Sequence, residues 1–282
     1  MPGAGASGKT ASIGGGTGPL GHGSVPIRQA GVRIMRDSLG WRCKFGVMGP
    51  STNTIVQPDF DAMRPVGVTN HYSRILTPDA DAVSNESFRA GVEVIGGNTL
   101  EAVRSVLTAS PDYLIMGMSA VTFFGGIKGA DAFIRSVEDL SGLRISVGSH
   151  ACTAALRAHG GVRRIAVLSP YWPVMNEAVS AYFREQGFEV VRDTALRCPS
   201  WTGIAAVTTA QCRAALRALD GDDVDALVQV GTNLSMVRLA AAAELWLGKP
   251  VIAINAATYW HALRAQGITD RLAGFGRLLE EF

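Results

Sequence analysis

From about Cys43 onward, short apolar runs rich in β-branched residues alternate with stretches whose apolar positions recur every three or four residues. The runs are KFGVMG (44–49), DYLIMG (112–117), RISVG (144–148), RIAVLS (164–169), DALVQV (225–230) and KPVIAI (249–254). Val92–Ile95 is expected to add an edge strand after the first crossover. Between the runs lie helical patterns such as TLEAVRSVL, ADAFIRSVEDL, VMNEAVSAYFREQG and AQCRAALRALD. Strand–helix–strand alternation predicts mostly parallel sheets flanked by helices. Gly160, Gly187 and Gly267 stand where helices should end, because glycine accepts the left-handed conformation that closes a helix.

The pattern is written twice. KFGVMGPSTNT at 44 aligns with RIAVLSPYWPV at 164, an offset of 120, and each strand runs into a proline, Pro50 or Pro170. DYLIMGMS at 112 aligns with DALVQVGTN at 225, an offset of 113, or 114 if Gly117 is set against Gly231. ALRAHG at 155 aligns with ALRAQG at 262, an offset of 107. Three matches in one order predict two pseudo-symmetric, flavodoxin-like α/β lobes. The first lobe is expected over 43–160 and the second over 161–270. Residues 271–282 are expected to return to the first lobe, and 1–36 to form a Gly-rich disordered tail.

Ligands of open α/β sheets sit beyond the C-terminal ends of strands. Two related lobes would face each other there, with the site between them. The strand ends supply Pro50-Ser51-Thr52-Asn53, Gly117-Met118-Ser119, Ser149-His150, Pro170-Tyr171, Gly231-Thr232-Asn233 and Asn255. The set is small, neutral and rich in hydrogen-bond donors. It suits a small carboxylate, or an oxyanion that develops during reaction. Ser, Thr and Asn at such positions also serve as helix N-caps, and a capped helix N-terminus itself attracts anions.

Composition removes other classes. Lys plus Arg number 26 against 24 Asp plus Glu, a net +2, and no run of five basic residues appears. That gives no reason to expect nucleic acid. Hydrophobic residues make up 47% of the chain, yet no apolar run reaches the ~18 residues of a membrane span. A basic, then apolar, secretory leader is not seen, so a cytoplasmic protein is expected. Cys43, Cys152, Cys198 and Cys212 form no CxxC pair and no metal-ligand spacing. No metal or cofactor is expected. GAGASGKT (3–10) and GTGPLG (16–21) match phosphate-loop patterns, but no strand feeds either and no helix pattern leaves it.

These segments together resemble the aspartate/glutamate racemase superfamily, in its arylmalonate decarboxylase and maleate isomerase branch. GVMGPSTNTIVQPDF and GVTNHYSRI are similar to the maleate-isomerase opening. IMGMSAVTFFGG resembles the decarboxylase loop that helps form a dioxyanion hole. RIAVLSPYWPVMNE, VGTNLS, NAATYWHALR and GFGRLL resemble further family segments. The resemblance covers about 40–280. It implies that Asn53 contacts a substrate carboxylate, that Gly117 and Ser119 match the oxyanion loop with Met118 replacing a Thr, and that Tyr171 and Asn176 match family positions. It also implies a departure. Racemases and maleate isomerases use one cysteine in each lobe, and the decarboxylases keep the second-lobe one. The matching positions here are Gly117 and Gly231.

The expected function is therefore a cofactor-independent decarboxylase of a small malonate-like acid, acting through an enediolate. The alternatives are isomerisation or racemisation of a small dicarboxylate by a non-thiol acid–base pair, and non-catalytic carboxylate binding. Asn53, Ser119, Tyr171, Thr232 and Asn233 would hold the retained carboxylate, with Pro50, Ser51 and Met118 beside it. Protonation would come from water, Tyr171 or His71, the last favoured by Arg74 three residues on. Phe123-Phe124 are candidates for an apolar subpocket, and Cys152 is read as a small buried helix residue. The expected partner is a small carboxylate, and homo-oligomerisation is left open.

Overall fold

A computed structural model describes Gly3 and residues 37–79, 81 and 83–282. The two phosphate-loop patterns and the tail expected over 1–36 fall, apart from Gly3, outside the described residues.

The first sheet takes its strands from β1 (Cys43–Pro50), β2 (Val68–Ile75), β3 (Tyr113–Met116) and β4 (Ile145–Ser146), in the order β2-β1-β3-β4. Helices α1 (Val56–Ala62), α2 (Asn85–Leu107) and α3 (Gly126–Ser141) connect them, and α4 (Gly148–Ala158) follows β4. The second sheet has β5 (Arg164–Ser169), β6 (Glu189–Ala195), β7 (Ala226–Gln229) and β8 (Val251–Ala253), in the order β6-β5-β7-β8. Its helices are α5 (Pro173–Glu185), α6 (Thr209–Leu219) and α7 (Val237–Leu247), with α8 (Ile254–Ala265) after β8 and a short α9 (Arg277–Glu281). All strand pairs within both sheets are parallel.

The repeat survives at the level of register. Phe45 pairs with Tyr113 in the first sheet and Ile165 with Ala226 in the second. These are the sequence offsets of 120 and 113. Two sheets of one topology therefore come from two copies of one pattern, as the two-lobe expectation required.

The helix after each last strand crosses to the other sheet. α8 packs against β3 and β4, while α4 packs against β8, and α4 and α8 lie against each other. Tyr259 of α8 stacks near Phe45 and Phe60 and donates its hydroxyl to Asn70 Oδ1. The core thus runs continuously across both sheets.

The expected edge strand at Val92–Ile95 is corrected. It lies inside α2, whose buried Phe88, Val92, Ile95, Thr99, Ala102, Val103 and Val106 recur at helical spacing. A reciprocal Ser84–Ser87 capping box starts the helix. Gly96-Gly97 in mid-helix weakened the sequence signal, since glycine disfavours helix interiors. The true edges are β2 and β6, whose half-exposed, polar sequences VTNHYSRI and EVVRDTA lack a continuous apolar run. Gly160, Gly187 and Gly267 do follow helices with positive φ.

At the end of α4, both ring nitrogens of His159 are buried without a hydrogen-bond partner, and the ring packs edge-on against Phe282 at 5.0 Å. Burial, aided by Arg277, pushes its pKa down to about 4. As pH falls below the unfolded value near 6.5, the unfolded chain binds a proton that the folded chain refuses, so this group costs stability progressively between pH 6.5 and 4. The variant His159→Phe should be more stable relative to the parent at pH 5 than at pH 7, by about 1 kcal/mol or more. Urea unfolding at both pH values measures this, and an unchanged difference would contradict it.

Candidate active site

Both central strand ends open into one seam. β7 ends at Gln229, a fully buried side chain whose amide donates to the carbonyls of Val230 (2.7 Å) and Gly231 (2.9 Å). These bonds fold the chain back into Gly231, which has φ +95°. Only glycine takes that conformation without strain. A Cβ there would also stand 2.5 Å from Pro170 Cγ and Cδ. The proline that ends β5 therefore occupies the space a residue-231 side chain would need.

The side chains of Thr232 and Asn233, with their partners, stitch the seam. Thr232 Oγ1 donates to the Gly117 carbonyl (2.9 Å) and accepts from Asn53 Nδ2 (3.0 Å). Asn53 Oδ1 in turn accepts the Ile55 and Val56 N–H groups at the start of α1. Asn233 Oδ1 accepts from Thr54 N–H (3.0 Å), and its amide donates to the Trp201 carbonyl (2.9 Å). Ser119 Oγ lies 2.6 Å from Tyr171 Oη and accepts the Gly231 N–H at 3.2 Å. From behind, Asn255 at the start of α8 donates to the Thr232 carbonyl and to Asp59 Oδ2.

These groups surround a cavity of about 30 Å³, room for one or two waters. Pro50, Asn53, Met118, Ser119, Tyr171, Gly231, Thr232 and Asn233 all line it, as the strand-end argument expected. Gly117 contributes its carbonyl to Thr232 from just behind the wall. Ser51 instead turns away, exchanging hydrogen bonds with the Thr77 backbone. His71 sits in mid-strand opposite Gly46, with its ring bonded to Thr69 Oγ1. That is four residues, or about 13 Å, short of the end of β2, so the structure keeps it out of the cavity. Arg74 also stays outside, where it donates to the Asn53 carbonyl (3.0 Å) and to Gln57. Phe123 is core, packed on Tyr182 and Phe183.

Sequence reasoning missed three further lining residues, Ile95, Trp201 and Ile204. Trp201 packs on Phe88 (4.8 Å) and against Gly91, where a Cβ would come within 2.6 Å of the indole. A tryptophan amid the polar CPSWTG was the one available signal. The lining therefore mixes hydroxyl- and amide-bearing residues with apolar ones, and Tyr171 is its one ionisable group. Burial pushes that phenol well above its usual pKa, partly offset by Ser119. All four cysteines are buried and none lines the cavity. Burial raises every thiol, Cys198 to about 11 and Cys43 to about 12, so none is a ready thiolate. Among the described residues no group of three or more His, Cys, Asp or Glu could hold a metal ion, and no helix is long and apolar enough to cross a membrane.

A family model described as arylmalonate decarboxylase matches residues 79–279. The chain belongs to the arylmalonate decarboxylase family. It is 30% identical over 173 residues to the arylmalonate decarboxylase of Bordetella bronchiseptica, covering 59% of this chain and 70% of that one. It is 29% identical over 250 residues to a maleate isomerase of Pseudomonas putida, covering 84% and 96%. The structure superposes on a maleate cis-trans isomerase of Nocardia farcinica with a TM-score of 0.77 at 25% identity, covering 85% and 99%. That protein was captured with a covalently bound succinylcysteine intermediate. In this chain no cysteine lines the cavity.

Gly231 and Gly117 should respond differently to a methyl group. At Gly117 a Cβ would lie 3.0 Å from the Met48 carbonyl and 3.4 Å from Val56, and φ is not positive. At Gly231 it would meet Pro170 and force a strained φ. Gly231→Ala should cost about 1–3 kcal/mol and clearly more than Gly117→Ala. Urea unfolding of both variants checks the ranking, and equal or reversed losses would refute it.

Proposed function

We propose that this protein is a cofactor-independent decarboxylase of a small malonate-like acid. The observation that carries the reading is the mixed lining: the neutral hydroxyl- and amide-bearing Asn53, Ser119, Thr232 and Asn233 share one cavity with the apolar Ile95, Met118, Trp201 and Ile204, and no charged side chain joins them. One carboxylate of the substrate lies among Asn53, Ser119, Tyr171, Thr232 and Asn233. The second is pressed against the apolar residues, where a carboxylate loses hydration and gains nothing in return. Loss of CO2 removes that charge. The electron pair of the broken C–C bond moves into the retained carboxylate, which becomes an enediolate. Donors fixed in place stabilise this added charge without having to reorganise.

The donors are held by one another. In the closed arrangement Ser119 pairs with Tyr171, and Thr232 with Asn53 and Gly117. A cavity of about 30 Å³ holds no dicarboxylate. Entry therefore requires the lining to open, and the substrate then takes the place of the Asn53–Thr232 pairing while Ser119 stays on Tyr171. The proton that completes the reaction comes from water or Tyr171. His71, held on β2, is too distant.

Isomerisation of a small dicarboxylate is the second reading, favoured by similarity to maleate isomerase along 96% of that relative. It would have to proceed without thiolate addition, since no cysteine lines the cavity.

Incubation with substituted malonates and with maleate, followed by mass spectrometry and CO2 detection, separates the readings. The expected result is CO2 release from a malonate. Fumarate from maleate would support the second reading instead. Ser119→Ala should lower kcat for the confirmed malonate by about 10²–10³-fold. Unchanged turnover would remove Ser119 from the oxyanion cradle.

A further inference from the structure

The reaction proposed above ends with an α-carbon that must gain a proton, and few groups in the cavity can give one. The polar groups on its walls are the amides of Asn53 and Asn233, the alcohols of Ser119, Thr52 and Thr232, and one phenol. Amides and aliphatic alcohols are very weak acids. A phenol, with an ordinary pKa near 10, is the strongest acid in the lining by several powers of ten.

Its placement is specific. The Gly231 N–H donates to Ser119 Oγ (3.2 Å), and Ser119 Oγ lies 2.6 Å from Tyr171 Oη. When Ser119 spends its own proton on Tyr171, the chain runs in one direction, from amide to serine to tyrosine. The Tyr171 proton is then free to face the cavity. A Cβ built on Gly231 would lie 3.7 Å from Tyr171 Cζ. The phenol therefore lies beside residue 231, and both line the cavity.

We propose that Tyr171 is the catalytic acid that protonates the α-carbon, and that it does so from the Gly231 side of the cavity. The assignment rests on the decarboxylase reading and adds to it a donor and a face. In the step, the enediolate π pair forms the new C–H bond as the Tyr171 O–H bond breaks, and the retained carboxylate is restored. The O–H pair stays on the phenol oxygen as a phenolate. Ser119 donates a hydrogen bond to that phenolate and, in its turn, the Gly231 N–H supports Ser119. Such chains strengthen as charge develops at one end. Water then returns a proton through Ser119, so the net proton comes from solvent. The direction is downhill, because a C–H bond beside a carboxylate is a far weaker acid than even a buried phenol. A single donor on one fixed side makes the product a single enantiomer.

The test uses the full chain and a malonate carrying one aryl and one methyl group, in D2O. The parent should release CO2 and give one enantiomer with one deuterium at the α-carbon. Tyr171→Phe removes only the hydroxyl. It should still release CO2, more slowly, and give racemic product. Ser119→Ala keeps the phenol and should react slowly while retaining the enantiomeric excess. The same enantiomer at undiminished excess from Tyr171→Phe would overturn the proposal and assign the proton to water in the cavity. Lost excess in Ser119→Ala with retained excess in Tyr171→Phe would overturn it in favour of Ser119. If the parent releases no CO2 from any malonate, the decarboxylase reading fails first and the assignment falls with it.

Discussion

The buried hydroxyl of Thr232, held between the Asn53 amide and the Gly117 carbonyl, is the bond on which the site depends. It ties the end of β7 to the ends of β1 and β3. Thr232 is 6% exposed, so an unmade bond here would leave a polar group dry at a cost of about 1–3 kcal/mol. Each participant also has a second task. Asn53 organises the start of α1, and the backbone beside Thr232 supplies the Gly231 N–H to Ser119. The seam is held together because its polar groups answer one another. In the proposed reaction an anion that displaces one internal pairing meets donors gathered around the same small cavity.

The apolar lining residues answer a different demand. Ile95, Met118, Trp201 and Ile204 bring no charge to the cavity. A site built only to bind a dicarboxylate would place a cation there. The nearest candidate, Arg74, is turned outward and spends its guanidinium on the Asn53 carbonyl and Gln57. Withholding a cation destabilises a second carboxylate relative to CO2, which is neutral and apolar. In the proposed decarboxylation, a lining without a cation favours loss of the second carboxylate over its retention.

Much of this was legible in the sequence because it rests on backbone pattern. The inner strands are continuous apolar runs, and their repetition at offsets of 120 and 113 reappears as register between Phe45 and Tyr113 and between Ile165 and Ala226. The strand-end rule then gave the donor residues of the cavity. What escaped was the part with no pattern of its own. The edge strands β2 and β6 are half-exposed and polar, so VTNHYSRI read as a functional segment and lent His71 a role its mid-strand position denies. Ile95 was absorbed into a short apolar run that belongs to a helix. Ile204 carries no signal in the sequence and Trp201 only its isolation amid polar residues, and tertiary packing against Phe88 and Gly91 brings the tryptophan to the cavity.

Gly231 joins these threads. Its positive φ and the adjacent ring of Pro170 leave no volume for a side chain, so the position cannot supply chemistry from itself. It can supply a backbone N–H, which it donates to Ser119, and Ser119 in turn lies 2.6 Å from the phenol of Tyr171. Burial pushes that phenol further above its usual pKa, so it is fully protonated at neutral pH. A group that must donate a proton once per turnover benefits from that, since the acid is always loaded. The same burial would make its phenolate costly, and the Ser119 contact at 2.6 Å is the structural feature that offsets the cost. The lack of a side chain at this strand end therefore does not empty the site of chemistry. In the proposed step the demand for an acid falls on Tyr171, whose environment both holds the proton and supports its departure.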